Sequence, residues 1–267
     1  MIRIHKGAAP PSLVRANSKY CKTLCDAYDA DPGLYRNGKP MAIRGSIYKT
    51  KAVKKALAKC HYGKCCYCET WIPEPYAHSH VEHWRPKSSS RQKRGDKRTW
   101  PGYYWLSYEW ENLLWSCAFC NSANKSDLFP LDNPAARAKH HRMSVQDERP
   151  SIIKPDGAED PRNHIKFELD EVIGLTPIGK KTIEVLRLNS KFQEARLTHF
   201  KKIREARDRY INLMNSVDPK AREDALHWRR FVEHAAALDQ PYSAMVAAYL
   251  ETYPLPDPTI QTAMRIG

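Results

Sequence analysis

Glu82 and His83 adjoin in the stretch HVEHWRPK, residues 80–87, which lies between two widely separated Cys-x-x-Cys pairs. The two side chains offer different chemistry. A glutamate is a hard oxygen ligand for a cation, and an imidazole is a neutral general base near physiological pH. Asn121, directly after the second cysteine pair, adds an amide oxygen, and Asn112 lies nine residues before it. A Glu-His dyad on a surface is often only solvated, so the surroundings of this one decide its meaning. His78 and His80 alternate with Glu82 along an extended chain, which places them on its face and away from His83, as bystanders.

The cysteines carry a second kind of chemistry. Cys65 and Cys68 form one Cys-x-x-Cys knuckle and Cys117 and Cys120 another, with 48 residues between them. Four thiolates at this spacing close a tetrahedral structural zinc site, and such a site has no open position for catalysis. The competing reading is four buried free thiols. Cys66 is poorly spaced to share an ion with Cys68, Cys21 and Cys25 have the spacing of a helix core, and Cys60 is only nearby. A zinc clamp would pin the long insertion at both ends and bring HVEHW close to CNSANK.

The rest of the chain must position these groups. Residues 1–59 read as a basic helical region, with PSLVRANSKYCKTLCDAY and KTKAVKKALAKC at helical spacing and DADPGLYRNGKP a loop between them. Residues 60–135 hold six of the eight Cys, and five of the seven Trp fall between 84 and 115, which makes this region the chemical core of an α+β fold. The aromatic run WPGYYWLSYEW, with Trp115, is read chiefly as core packing, although stacked bases are the alternative. Residues 136–267 read as an exposed connection, then two short strands in IKFELDEVIGL, then three helices. One of these carries an apolar stripe at Phe200, Ile203, Ala206, Tyr210 and Met214, read as core or as a partner-binding face.

Composition narrows the class. The 267 residues carry a formal charge of +14 and are 42% hydrophobic, which suits a globular protein with a polyanionic partner. No segment has the length and apolarity of a membrane span, and MIRIHKGAAPPS has no signal-peptide core, so a cytoplasmic, reducing location is expected. The segment RPKSSSRQKRGDKR, residues 85–98, has seven basic residues against one acid. It reads as a solvated loop that orders on a ligand. Arg85, Lys87, Arg91, Lys93 and Arg94 are therefore expected at a nucleic-acid backbone, with Lys125 contacting phosphate. Backbone contacts carry no sequence information, so low specificity is expected.

The order Glu82-His83, Asn112, Asn121 resembles the HNH nucleases, and the paired knuckles resemble their zinc-stapled branch. That resemblance implies a ββα-metal core. His83 would be the base that activates water, Glu82 and Asn121 the ligands of one Mg²⁺, and Asn112 the brace of the hairpin that orients His83. Glu and Asn stand where the superfamily often has Asp and His, and these oxygen ligands favour Mg²⁺ or Mn²⁺ over catalytic zinc. A closer resemblance runs through IHKGAAPPSL, KCCYCE, VEHWRPK, WENLLWSCAFCNSANKSDLFPL and KKTIEVLRLN. These resemble the Septu-type antiphage HNH proteins, the PtuB group, including retron-associated ones. This implies a DNA endonuclease held by an ABC-type, PtuA-like ATPase partner. No P-loop pattern occurs in this chain, so any ATP would be the partner's. The rival readings are a non-catalytic zinc-ribbon module that binds nucleic acid, an interaction protein with a vestigial core, and an RNA-cleaving enzyme.

Overall fold

Proline and short polar residues set most of the helix starts. The computed structural model describes residues 1–73, 79–190 and 193–257. Helix α1 (Pro11–Ala30) begins with Pro at its first position, where no amide hydrogen is needed. The stretch expected as a loop after it contains a single-turn helix, α2 (Pro32–Arg36), because the Asp31 carboxylate accepts a hydrogen bond from Leu34 N at 3.0 Å. The one-turn α3 (Gly45–Tyr48) leads into α4 (Lys51–Cys60), which Thr50 caps by accepting from Val53 N at 3.3 Å.

The strands that matter for the site come from distant segments. Strand β1 (Ser79–His83) pairs antiparallel with β2 (Leu113–Cys117), in a register that sets Glu82 opposite Leu114 and His83 opposite Leu113. Directly after β2, Phe119–Lys125 forms a π-helical segment, so the order strand, strand, helix follows the first cysteine pair and runs through the second. Leu113, Leu114 and Trp115 are fully buried, as expected of a strand covered on both faces. His61 pins α4 to this strand. Its Nδ1–H donates to Leu57 O at 2.7 Å, and its Nε2 accepts from Trp115 N at 3.3 Å. Complete burial lowers the pKa of His61 to about 4, so the bridge stays neutral.

Beyond the site, β3 (Ile165–Glu168) and β4 (Glu171–Gly174) form a second antiparallel pair, as expected. Four helices follow: α5 (Pro177–Leu186), α6 (Gln193–Leu213), α7 (Pro219–Ala235) and α8 (Ser243–Thr252). One apolar core draws on residues from Met1 to Leu188, and the α6 stripe packs into smaller clusters with α7 and α8. Tyr103, Tyr104, Tyr108 and Trp115 are core residues, whereas Trp100 is only half-buried.

Two segments differ from expectation. The connection after residue 136 is partly buried, with Arg137 and Glu148 in a network with Tyr103. The basic loop is ordered without a ligand. Asp127 gathers it, accepting from Arg91 Nε at 2.8 Å, Arg98 Nε at 2.9 Å and Ser89 Oγ at 3.0 Å. Gly102 lets the aromatic run pass against this loop, since a Cβ there would lie 2.4 Å from Pro86 O. Among the described residues no helix is long and apolar enough to cross a membrane.

Candidate functional site

The four knuckle cysteines converge. The Sγ atoms of Cys65, Cys68, Cys117 and Cys120 all lie within 4.8 Å of one another, and Cys68 and Cys117 are 3.8 Å apart. Four sulfurs around a zinc at the usual bond length stand about 3.8 Å apart, so the cluster can hold a structural zinc. The protonation pattern agrees. Burial pushes Cys68 and Cys120 well above the ordinary thiol range, while Cys65 lies well below it because hydrogen bonds from Cys117 and Cys120 outweigh the same burial. Alone, the cluster resists carrying four negative charges; a dication removes that resistance. Cys66 is not one of the four, although its thiol hydrogen-bonds with Cys65. Its thiol is pushed up by burial, and its amide donates to Trp115 O at 2.9 Å, docking the knuckle on β2.

Glu82, His83, Lys87 and Asn121 line one cleft of about 390 Å³ with Ser89, Trp100 and Asp127. Neighbours on a strand face opposite ways, yet both Glu82 and His83 reach this space because it lies at the strand's end. The imidazole of His83 is buried, with Nε2 3.0 Å from Ser107 O and its ring edge-on to Tyr48 at 4.6 Å. A carbonyl only accepts, so Nε2 carries the hydrogen and Nδ1 is left with a free lone pair. Burial, then the charge of Lys87, hold the His83 pKa well below the usual imidazole value. Nδ1 is therefore a neutral base.

Glu82 is buried too, and its Oε1 meets Lys125 Nζ at 2.7 Å and Tyr67 OH at 3.3 Å. Burial raises its pKa, opposed by the charge of Lys125. Asn121 sits on the π-helical segment and donates from Nδ2 to Val81 O at 3.5 Å, which leaves its Oδ1 available. One carboxylate and one amide oxygen are a fitting set for Mg²⁺ or Mn²⁺, which take few protein ligands and complete their shell with water and substrate phosphate. Ser126, at the end of the same segment, has a φ of 50° and bounds the cleft. A strained residue of this kind costs about 1–3 kcal/mol and tends to sit where a site requires it.

Asn112 does not enter the cleft; it braces the chain behind it. Its Oδ1 accepts from Arg85 N at 2.8 Å, and its Nδ2 donates to Arg85 O and Leu106 O, each at 3.1 Å. Two expected phosphate contacts are placed elsewhere. Arg85 is buried, ion-paired with Glu148 and packed over Trp84, Tyr103 and Phe129. Lys125 is fully buried between Glu82 and the His83 carbonyl, which it reaches at 3.0 Å. Both charges are already compensated inside the protein. Arg91 is spent on Asp127, and Arg94 reaches back to Asn124 O at 2.6 Å. Lys93 is exposed, and Lys87 lines the cleft. His80 is half-buried, with Nδ1 3.2 Å from Ser122 Oγ, and His78 lies outside the described residues. Tyr67, Ser107 and Asp127 went unread in the sequence. The Ser107 contribution is a backbone carbonyl, which no residue type signals, and the acid in NSANKSDL was the only visible hint of Asp127.

The Lys125 contact has a measurable consequence. Lys125→Met is expected to destabilise the fold by about 3–5 kcal/mol, the usual cost of stripping one partner from a buried ion pair. Adding Glu82→Gln should recover part of that loss in chemical denaturation. Additive losses would show that the pair is not coupled.

Fold and site together define an α+β protein of helices and small sheets with a buried four-cysteine centre that can hold a metal. Its relatives sharpen the class. The chain is 35% identical over 145 residues to a Septu protein PtuB of Bacillus mycoides (strain KBAB4), covering 53% of this chain and 48% of that one. It is 30% identical over 192 residues to a Septu protein PtuB of Bacillus thuringiensis, covering 71% of this chain and 55% of that one. The resemblance to the PtuB group is thereby borne out, and the chain spans about half the length of the curated relatives it matches. No family model matches the chain, and no solved structure matches it.

Proposed function

We propose that this chain is a metal-dependent HNH endonuclease that hydrolyses DNA phosphodiester bonds, serving as the nuclease of a Septu-type antiphage system with an ABC-type ATPase partner. One observation carries the reading. His83 has Nε2 fixed on the Ser107 carbonyl and Nδ1 free, beside a carboxylate and an amide oxygen in one cleft. In this reading Nδ1 takes the proton of the attacking water as its oxygen bonds to phosphorus and the bond to the leaving oxygen breaks. Glu82 and Asn121 would hold Mg²⁺ or Mn²⁺, which when bound neutralises charge developing on the phosphate. Asn112 and Lys125 keep the two sides of the cleft in register. The ATPase partner and the defence role rest on the PtuB relatives alone.

The test is cleavage of supercoiled plasmid by the purified chain with Mg²⁺ or Mn²⁺. Relaxed or linear product that disappears with EDTA is the expected result. A chain that binds the plasmid but leaves it intact with either metal, with and without an added ATPase partner, would be a binding module instead.

A further inference from the structure

One aromatic side chain of the run from Trp100 to Trp110 is left over from the core. Tyr103, Tyr104 and Tyr108 are fully buried, and Trp105 packs against both Tyr103 and Tyr104. Trp100 differs. It is half-buried, it lines the cleft with Glu82, His83 and Asn121, and among the described residues no other aromatic ring packs against it. The chain around it holds the indole in place. Gly38 lies alongside the pyrrole ring, where an added Cβ would be 3.7 Å from Nε1. The Arg98 guanidinium is 6.0 Å from the centre of the Trp100 side chain's ring and is anchored on Asp127 at 2.9 Å, and both of these residues line the same cleft. Arginine beside an aromatic ring is a recurrent pairing on surfaces that hold unpaired strands.

The depth of the two reactive groups limits what can reach them. Glu82 is 2% exposed and His83 4%, so a phosphate bound for them must be drawn into the cleft past its walls. In a duplex the base faces are stacked on one another, and only the base edges are open in the grooves. An indole on the cleft wall therefore meets a base face only where a strand is unpaired or a nucleotide is turned out of its stack.

We infer that Trp100 is the platform on which one unpaired nucleobase stacks beside the scissile phosphate, so that the substrate is a single-stranded or locally opened segment of DNA. The inference rests on the proposed nuclease reading and deepens it by naming the state of the strand that the cleft accepts. Every base has a π-face, so this contact adds affinity without reading sequence.

The test is fluorescence anisotropy of the full chain in EDTA, over a salt series, with three labelled ligands: a DNA strand of about 15 nucleotides, a strand of equal length built of abasic sites, and the matching duplex. Trp100→Ala should hold the base-bearing strand about 5–150-fold more weakly than the wild type, the worth of one stacked base. Its salt slope should not change, because stacking releases no counterions. On the abasic strand and on the duplex it should match the wild type. Trp100→Phe keeps an aromatic face and should recover most of the loss, whereas Trp71→Ala, at an exposed tryptophan outside the cleft, should lose nothing. No loss on the base-bearing strand, or an equal loss on the abasic strand or the duplex, overturns the inference. So does a wild type that fails to distinguish base-bearing from abasic strands, a comparison that needs no variant to fold. If plasmid is cut but Trp100→Ala binds the strand normally, only the platform is wrong. If the loss appears as expected but no metal supports cleavage, only the nuclease reading is wrong.

Discussion

His83→Ala is expected to lower cleavage by about 10²–10⁴-fold, the usual contribution of a positioned general base. Binding of DNA in EDTA should change little, because a neutral buried imidazole adds no charge to attract phosphate. His83 is buried against Tyr48, so truncation also removes packing, and His83→Gln, which fills more of the space, separates the two effects. It should fold like the wild type, as judged by its circular dichroism and melting, and still fail to cleave. The pH profile gives an independent check. Because the His83 pKa is held well below its ordinary value, its base form persists as pH falls through 6.5, the usual imidazole midpoint. Cleavage should therefore show no inflection there and should drop only in more acidic solution. Full activity in His83→Gln would end the assignment of this residue as base.

Removing metal from the four-cysteine centre should unfold the core that carries the cleft. Structural zinc binding in small domains is worth about 10–16 kcal/mol at neutral pH, as large as the about 5–15 kcal/mol by which whole domains are stable. Here the centre joins the knuckle at Cys65 and Cys68 to the end of β2, while α8 and its leading segment lean on the same knuckle. Thr70 Oγ1 is 3.2 Å from Tyr242 OH, and Lys64 Nζ donates to Gln240 O at 2.8 Å. Cys117→Ser should lose about one zinc per chain in a colorimetric metal assay and most of the cooperative melting transition. Cys66→Ala should keep both, since Cys66 stands outside the sulfur cluster. Equal metal loss in the two variants would disprove the four-ligand assignment.

The cluster and the catalytic candidates were legible because their signals are local. Cys-x-x-Cys spacing survives any fold, and the adjoining Glu82 and His83 announce two kinds of chemistry in two letters. Helices were legible where apolar spacing ran long, as in α6, and α2 was missed because one capped turn has no periodicity to read. Partners of charge were the main blind spot. Arg85 and Lys125 looked free in the sequence because Glu148 and Glu82, which neutralise them, lie 63 and 43 residues away along the chain. Asp127 likewise converts a loop that reads as solvated into an ordered wall.

The π-helical segment from Phe119 to Lys125 has a consequence for how the cleft can be altered. Its wide turn is closed by Ser126 N donating to Asn121 O at 2.6 Å, five residues back. Deleting one residue between Asn121 and Lys125 would return the turn to ordinary α spacing and swing Asn121 by about 100° about the helix axis relative to Lys125. Lys125 could stay on Glu82 while the amide oxygen left the cleft. The place of this amide oxygen in the cleft is thus written in the count of residues as much as in their kind, and a length change with every other side chain retained would act like a point mutation.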